Sequence, residues 1–575
     1  MKIYALFGNR YVFLVAMLLG ILLALPTLSS GFFLDDYQQR IILLTDPSAN
    51  AFEFFHRGTA ATEAWLQDGV LAWWTHPQTK VVFFRPIAQW LMQVDYRLWP
   101  DSLPLMHLHS VFWYGIAVLV AGLTYREIMS TRWAAGLAAV LFAVDAAHAA
   151  AVAWLPNRNA FVCVIVALLV LRCYRQPQFR WQLLGCALFA LSLATSESAL
   201  AITGYLLANE IFLSERRWPQ RALRLLPYAL IAIAWIAFWK YRGYGTAGPG
   251  FYIDPVNAPS LFFSELIYRF PAYLIGQLFG PPPEIFLAAE YSRAHTYALI
   301  YAAAVIALLV WLFTPLLRSS RLARFYGLGM LIAALPICSS APVSRSLWFV
   351  GFGATGLLAL FIEQFRGLTL TPARLRWSRV FAGTMLVLHL WLSPLLFIGA
   401  SKASDGIDSL MDSRRVQLPD NAGQHNKVLA ISALSYTGNI TFPLLKDQAL
   451  SLGAKPTRPP PGITQIRALV EGEGEFELQR KDADTLIVIS KTGFETLRPR
   501  EYGFAIGDRV VLNDVEILVR SVSAIGAPTE IEYRFNPGVL ETYEVIAWGD
   551  NQFVPATLPA IGESARVQIK KGKLF

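Results

Sequence analysis

Two adjacent carboxylates, Asp35 and Asp36, stand a few residues beyond the first long apolar run of this 575-residue chain. Like charges this close raise the pKa of one member, and removing them from water at a bilayer surface is costly. Such a pair suits a general base or a ligand for a divalent cation, Mg or Mn. A solvated loop start or a helix cap is the plainer use of the same residues. Other ionisable side chains fall one by one at the ends of apolar segments. They are Arg85, His107, His109, His148, Arg158, Glu197, Lys240, Arg242 and Arg345. Arginine presents a planar fork that matches phosphate oxygens. Acids, histidines and arginines above an apolar slot fit a substrate with a phosphate head and a lipid tail. Asp145 and Asp254 read as weaker candidates, with Asp145 expected at a loop edge and paired to Arg158.

The elements that would carry these residues are membrane helices. Of the residues 55% are hydrophobic and only 15% charged, and mean hydropathy is +0.43. A soluble globular chain carries roughly 25% charged residues. This composition excludes a disordered chain, a nucleic-acid-binding tail and a wholly soluble enzyme. Apolar runs of bilayer-crossing length are expected at 11–28, 107–125, 133–147, 160–174, 182–195, 199–213, 225–241, 297–315, 325–342, 346–364 and 380–400. Segment 262–286, ending in Gly280-Pro-Pro-Pro283, reads as interfacial or re-entrant.

The net charge of +9 is topological. Residues 401–575 hold 20 Lys+Arg against 22 Asp+Glu, whereas residues 1–400 hold 29 against 18. Much of the excess sits in short loops such as 215–221 and 318–324, and basic loops face the cytoplasm. An odd span count with a cytoplasmic N-terminus puts the C-terminal part outside, and these ionisable residues at the outer ends of spans. The expected compartment is a bacterial inner (plasma) membrane. The four cysteines match no metal or disulfide framework.

Residues 31–104 are rich in aromatics, among them Trp65, Trp73, Trp74, Trp90 and Trp99, which suits interfacial helices. From residue 401 the character changes to short β-rich runs. Examples are 428–432, 485–490 and a pair, 509–512 and 515–520, flanking the turn-type Asn513-Asp514. The expected architecture is a polytopic α-helical membrane domain, 1–400, followed by an extracytoplasmic, β-rich, sandwich-like domain, 401–575.

Short motifs occur in the same order as in a known family. Asp35-Asp36 follows the first span, Phe84-Arg-Pro-Ile87 resembles a Tyr-Arg-Pro-Leu segment, and Met106-His-Leu108 resembles Phe-His-Leu. His148 with Val152-Ala-Trp154 and Arg158 resembles a His-Pro-x-His…Ala-Val…Gly-Arg stretch. Glu197 resembles a Ser-Lys-Glu element, Arg242 an Arg ending the seventh span, and Arg345 a Glu-Arg-x-Leu-Tyr element. On these residues the chain resembles the GT-C superfamily of polytopic glycosyltransferases, and within it the O-mannosyltransferases that carry tetratricopeptide repeats. Departures are Asp145-Ala146, Ser196 and Ser344 at family positions, and the absence of the helical repeats.

The resemblance implies a GT-C-like fold and an inverting transfer of a sugar from a polyprenyl-phosphate donor to a protein or cell-envelope acceptor hydroxyl. It implies chemistry on the non-cytoplasmic face, with Asp35 or Asp36 as base or metal ligand. Arg242 and Arg345, with Arg85 and Lys240, would hold the lipid phosphate, and His107, His148, Arg158 and Glu197 would shape the pocket. No nucleic-acid partner is expected. The rival readings are a transporter or flippase of lipid-linked sugars and a membrane-anchored envelope assembly protein. A transporter favours polar residues at mid-membrane and corresponding broken helices in two halves; the runs here have largely uncharged middles.

Overall fold

The computed structural model describes residues 7–248, 252–290, 294–413, 427–458, 462–494 and 503–569. The chain forms two compact units, one of residues 1–32, 83–244 and 251–405, the other of residues 33–82, 245–250 and 406–575.

The first unit is helical. Each expected apolar run lies on a helix or a closely broken helical pair. Among the described residues six are long and apolar enough to cross a membrane: Val12–Ser29, Leu103–Ile128, Leu155–Arg175, Trp218–Tyr241, His295–Ser319 and Pro372–Ser409. A seventh is Arg132–Ala143 with Ala146–Ala153, bent by 41° at the break. Phe179–Leu193 and Trp348–Gln364 are shorter apolar helices. The 262–286 segment holds helix Pro259–Leu278 and the start of Pro283–Glu290, neither of which reaches that length and apolarity among the described residues.

Helices pack closely where small residues let them. A Cβ on Gly353 would meet the Tyr205 hydroxyl at 2.5 Å and Met330 Cβ at 2.6 Å, the small-residue packing expected where lipid supplies no hydrophobic drive. Buried hydroxyls are satisfied by carbonyls: Tyr125 donates to Phe352 O at 2.7 Å and Tyr114 to Ala143 O at 2.8 Å. Trp218–Tyr241 instead exposes Leu223, Leu230 and Ile233, an apolar surface suited to lipid.

The second unit is β-rich. Strands β1 (Glu53–His56), β2 (Lys80–Val82) and β3 (Gly245–Ala247) form a small antiparallel sheet. The larger sheets use β4 (Lys427–Ala433), β5 (Gln465–Glu471), β6 (Gly474–Arg480), β7 (Thr485–Ile489), β8 (Arg509–Val511), β9 (Val515–Val522), β10 (Pro528–Phe535), β11 (Glu544–Gly549), β12 (Gln552–Pro555) and β13 (Ser564–Ile569). Six strands pair antiparallel in the order β13-β6-β7-β10-β9-β8, and the β8–β9 hairpin turns at Asn513-Asp514 as expected. On β9, Val515, Ile517 and Val519 are buried and alternate with less buried Glu516, Leu518 and Arg520, the period of a one-sided sheet.

The remaining sheet, β12-β11-β4-β5, departs from an all-antiparallel sandwich, because β11–β4 and β4–β5 are parallel. A parallel pair needs a crossover, and helix Phe442–Leu450 supplies it between β4 and β5. The nearly continuous apolar run of β4 suits such a strand covered on both faces.

Residues from the 31–104 segment are built into this unit. Leu66, Leu71, Ala72, Trp73 and Trp74 join one apolar cluster with both larger sheets. Trp73 donates to Leu469 O at 3.3 Å, and Thr441 donates to Val70 O at 2.7 Å. Gly69 ends helix Ala60–Asp68 at φ 81°, and a Cβ there would lie 1.7 Å from Ile466 O. Only glycine serves, for both the left-handed backbone and the close approach.

Candidate functional site

Asp35 and Asp36 form the first turn of helix Asp35–Thr45 in the β-rich unit. The residue before them, Leu34, has φ 47°, a strained conformation for a side-chain-bearing residue, of the kind that collects at working sites. Asp36 is 1% exposed, and its Oδ2 accepts the Phe33 N–H at 2.7 Å, so the turn is pinned by its own carboxylate. Asp35 is less buried. The helix is gripped along its length. Tyr37 donates to Asp408 Oδ1 at 2.6 Å, Gln38 Nε2 to Phe54 O at 2.7 Å, and Arg40 to Ala449 O and Leu452 O at 3.0 and 2.9 Å. Burial and the bond to Asp408 push the Tyr37 phenol well above its ordinary range.

The other expected residues lie in the helical unit. Arg85 precedes helix Pro86–Leu98, with its Nε 3.0 Å from Glu197 Oε2 and its guanidinium 4.2 Å over the Phe83 ring. Glu197 opens the short helix Glu197–Ala201, and its other oxygen, Oε1, is buried without a hydrogen-bond partner among the described residues. Two residues singled out separately are thus joined across 112 positions.

Arg158 has the opposite character, being 2% exposed and fully engaged. It donates to Asp95 Oδ2 at 2.6 Å, Ser110 Oγ at 3.1 Å and Met106 O at 2.9 Å. His109 closes the network, with Nδ1 2.6 Å from Asp95 Oδ1 while its Nε2 accepts the Trp113 N–H at 2.8 Å. With Nε2 accepting, Nδ1 carries the proton toward Asp95.

The expected Asp145–Arg158 pair does not form. Asp145 sits at the 41° break, where its Oδ1 caps Ala147 N at 3.0 Å and its Oδ2 takes Gln277 Nε2 at 2.6 Å. A broken membrane helix must satisfy its freed backbone groups internally; Asp145 does so together with Ser393, whose Oγ accepts from Ala146 N at 2.8 Å. The partner sequence reasoning missed is Asp95. Its signal was present: Ala88, Leu91, Met92 and Asp95 are the buried positions of helix Pro86–Leu98, a carboxylate on an i, i+3, i+4, i+7 apolar stripe.

His148 is buried and stacks on Trp348 at 3.8 Å between ring centres and 9° between planes, with Phe142 at 4.6 Å. His107 is wholly buried, beside the backbone of Ser30 and Gly31. Lys240 pairs with Asp254. Arg242 caps helix Trp218–Tyr241 and is exposed. Arg345 is half-buried with its guanidinium 4.4 Å over the Trp154 ring. Its neighbour Ser344 is fixed by Glu284, which accepts from the Ser344 N–H and Oγ at 2.7 Å each. Among the described residues Arg345 has no carboxylate at ion-pair distance.

Metal ligation finds no ready set. Among the described residues no group of three or more His, Cys, Asp or Glu side chains could hold an ion. One oxygen of Asp36 is already engaged by Phe33 N–H.

Comparison with solved structures finds a likeness to an archaeal protein. No protein-family model matches the chain, and no curated protein does. The chain is similar to a crystal structure of the Archaeoglobus fulgidus oligosaccharyltransferase, tethered through a disulfide to an acceptor peptide containing the NVT sequon. The TM-score is 0.40 at 12% identity, over 80% of this chain. This chain spans 64% of that protein's length.

Proposed function

We propose that this chain is a polytopic membrane glycosyltransferase of the GT-C kind. It moves a sugar from a polyprenyl-phosphate donor to a hydroxyl of a protein or cell-envelope acceptor on the non-cytoplasmic side of a bacterial inner membrane, with about eleven spans. The observation that carries the reading is how the cations of the helical unit are committed. Arg158 is neutralised by Asp95, Arg85 by Glu197 and Lys240 by Asp254. Among the described residues Arg242 and Arg345 have no carboxylate at ion-pair distance, and the Arg345 fork lies over the Trp154 ring, where it can meet an anion.

In the proposed step Asp35 or Asp36 takes the proton of the acceptor hydroxyl. The acceptor oxygen bonds to the anomeric carbon from the face opposite the phosphate. The carbon–oxygen bond to the phosphate breaks, and the lipid phosphate leaves with the electron pair, inverting the anomeric centre. Arg345, with Arg242, stabilises that leaving charge, an effect worth about 3–4 kcal/mol for one well-placed donor. Arg85 and Glu197, as an ion pair, line the pocket rather than neutralise phosphate.

The test uses the purified full chain in proteoliposomes with a radiolabelled sugar on polyprenyl phosphate and a serine- and threonine-rich peptide or envelope glycan as acceptor. The expected result is label on the acceptor with inverted linkage. Movement of intact lipid-linked sugar across the bilayer with no transfer would overturn the reading in favour of a transporter.

A further inference from the structure

Helix Asp35–Thr45 holds a fully buried amide, that of Gln39. Gln39 is 0% exposed, and both its amide oxygen and its amide nitrogen are without a hydrogen-bond partner among the described residues. Turning the amide over does not help, because both ends are unpaired. An unpaired buried polar atom costs about 1–3 kcal/mol, so this side chain is poorly suited to a merely structural place. Methionine would fill the same volume without that cost.

Its position on the helix is informative. Residues four apart share a face, so Gln39 stands one turn above Asp35. The neighbouring directions are taken by the unit's own contacts: Tyr37 to Asp408, Gln38 to Phe54 O, and Arg40 to the carbonyls of Ala449 and Leu452. Tyr37, Gln38 and Arg40 are satisfied, while Gln39, on the face of Asp35, has no partner among the described residues.

The chemistry of the amide narrows the ligand. Its oxygen needs a donor and its nitrogen needs an acceptor. An ionised phosphate offers acceptors alone, whereas a hydroxyl offers both. We infer that Gln39 binds hydroxyl groups of a substrate beside Asp35, and so acts as a specificity residue for the sugar or for the hydroxyl-bearing acceptor. This inference rests on the transferase reading above and assigns that reaction a residue the sequence comparison did not mark.

The experiment uses the full chain with Gln39→Met and Gln39→Glu, measured for thermal stability without substrate and for binding and transfer. Gln39→Met is expected to raise Tm by a few degrees, because the unpaired amide is gone. It should also weaken binding of polyprenyl-phosphate sugar about tenfold, one lost hydrogen bond to a neutral group, and leave sugar-free polyprenyl phosphate unaffected. That pattern assigns Gln39 to the donor sugar. A KM increase confined to the serine- and threonine-rich peptide assigns it to the acceptor instead. Gln39→Glu keeps the acceptor atom and should lose less than Gln39→Met.

Two results overturn the inference. A lowered Tm in Gln39→Met means the amide has partners in the resting protein. A raised Tm with every affinity and KM unchanged means a burial defect without function. Failure of the transferase reading shows separately, as no transfer by the unaltered protein. The comparison of sugar-loaded with sugar-free lipid then still decides the role of Gln39.

Discussion

Arg158 and Arg345 show how much a residue's meaning depends on its partners. Both are arginines at the ends of apolar segments, and residue type alone ranks them together. Arg158 is locked by Asp95, Ser110 and Met106 O, which makes it a brace that ties the Leu103–Ile128 helix to Pro86–Leu98. Breaking a buried pair leaves an uncompensated charge and costs about 3–5 kcal/mol, whereas replacing both members with apolar residues is often neutral. Asp95→Asn should therefore lower stability by that amount in denaturant unfolding of the detergent-solubilised protein. Asp95→Leu combined with Arg158→Met should recover most of it. A single variant as stable as the parent would contradict the brace. The candidate residues were legible at this scale because ionisable groups are rare among apolar runs. Their pairing was not, since Asp95 lies 63 positions from Arg158, and Gln39 sits in a polar run where nothing distinguishes it from Gln38. Asn439, which begins an Asn-Ile-Thr triplet of glycosylation type, is buried and accepts from Ser435 N at 2.8 Å, so its side chain holds a turn.

Among the elements, the long periodic ones were the most legible. Runs of apolar residues form helices because a chain in lipid must satisfy its backbone within itself. The break at Asp145 was not visible, because Ala146 through Ala153 is as apolar as the helix before it, and capping decides the bend. In the β-rich unit the Asn513-Asp514 hairpin was readable from its turn residues, while the parallel pairing of β4 with β5 depends on a partner 38 positions away. The helix holding the acidic pair is secured by an ionic cluster. Lys446 is 2.6 Å from Asp408 and 2.9 Å from Asp412, and Arg458 is 2.8 Å from Asp412. Burial alone would raise the Asp412 pKa, but the hydrogen bonds from Lys446 and Arg458 outweigh it and hold the carboxyl below its usual range. A depressed folded-state pKa contributes stability that is present above the unfolded value, near 4, and lost as pH falls through the folded one. Thermal stability of this unit should therefore drop as pH falls below about 4, and Asp412→Asn should flatten that part of the profile. An unchanged profile in the variant would show that other groups govern acid unfolding.

At the scale of the whole molecule, the sequence boundary near residue 400 and the compact units differ in a consequential way. Composition changes at 401, yet residues 33–82 and 245–250 belong with the C-terminal strands. Trp73 and Trp74 read as interfacial aromatics, but they are buried in that unit's core, 5.4 Å apart edge to face. A fragment of residues 401–575 lacks these side chains and should fail to give a cooperative melt. In the full chain, Trp73→Ala should cost about 3–5 kcal/mol, as for other buried aromatics. A well-folded 401–575 fragment would contradict this assignment. The same division places Asp35 and Asp36 in the β-rich unit and Arg242 and Arg345 in the helical one. The proposed reaction requires both sets, so the central claim is tested by transfer of radiolabelled sugar from polyprenyl phosphate by purified Asp35→Asn, Asp36→Asn and Arg345→Ala proteins of confirmed stability. Transfer is expected from the unaltered chain, with a fall of about 100-fold or more in Arg345→Ala and in at least one Asp variant. Full transfer by all three variants would contradict it.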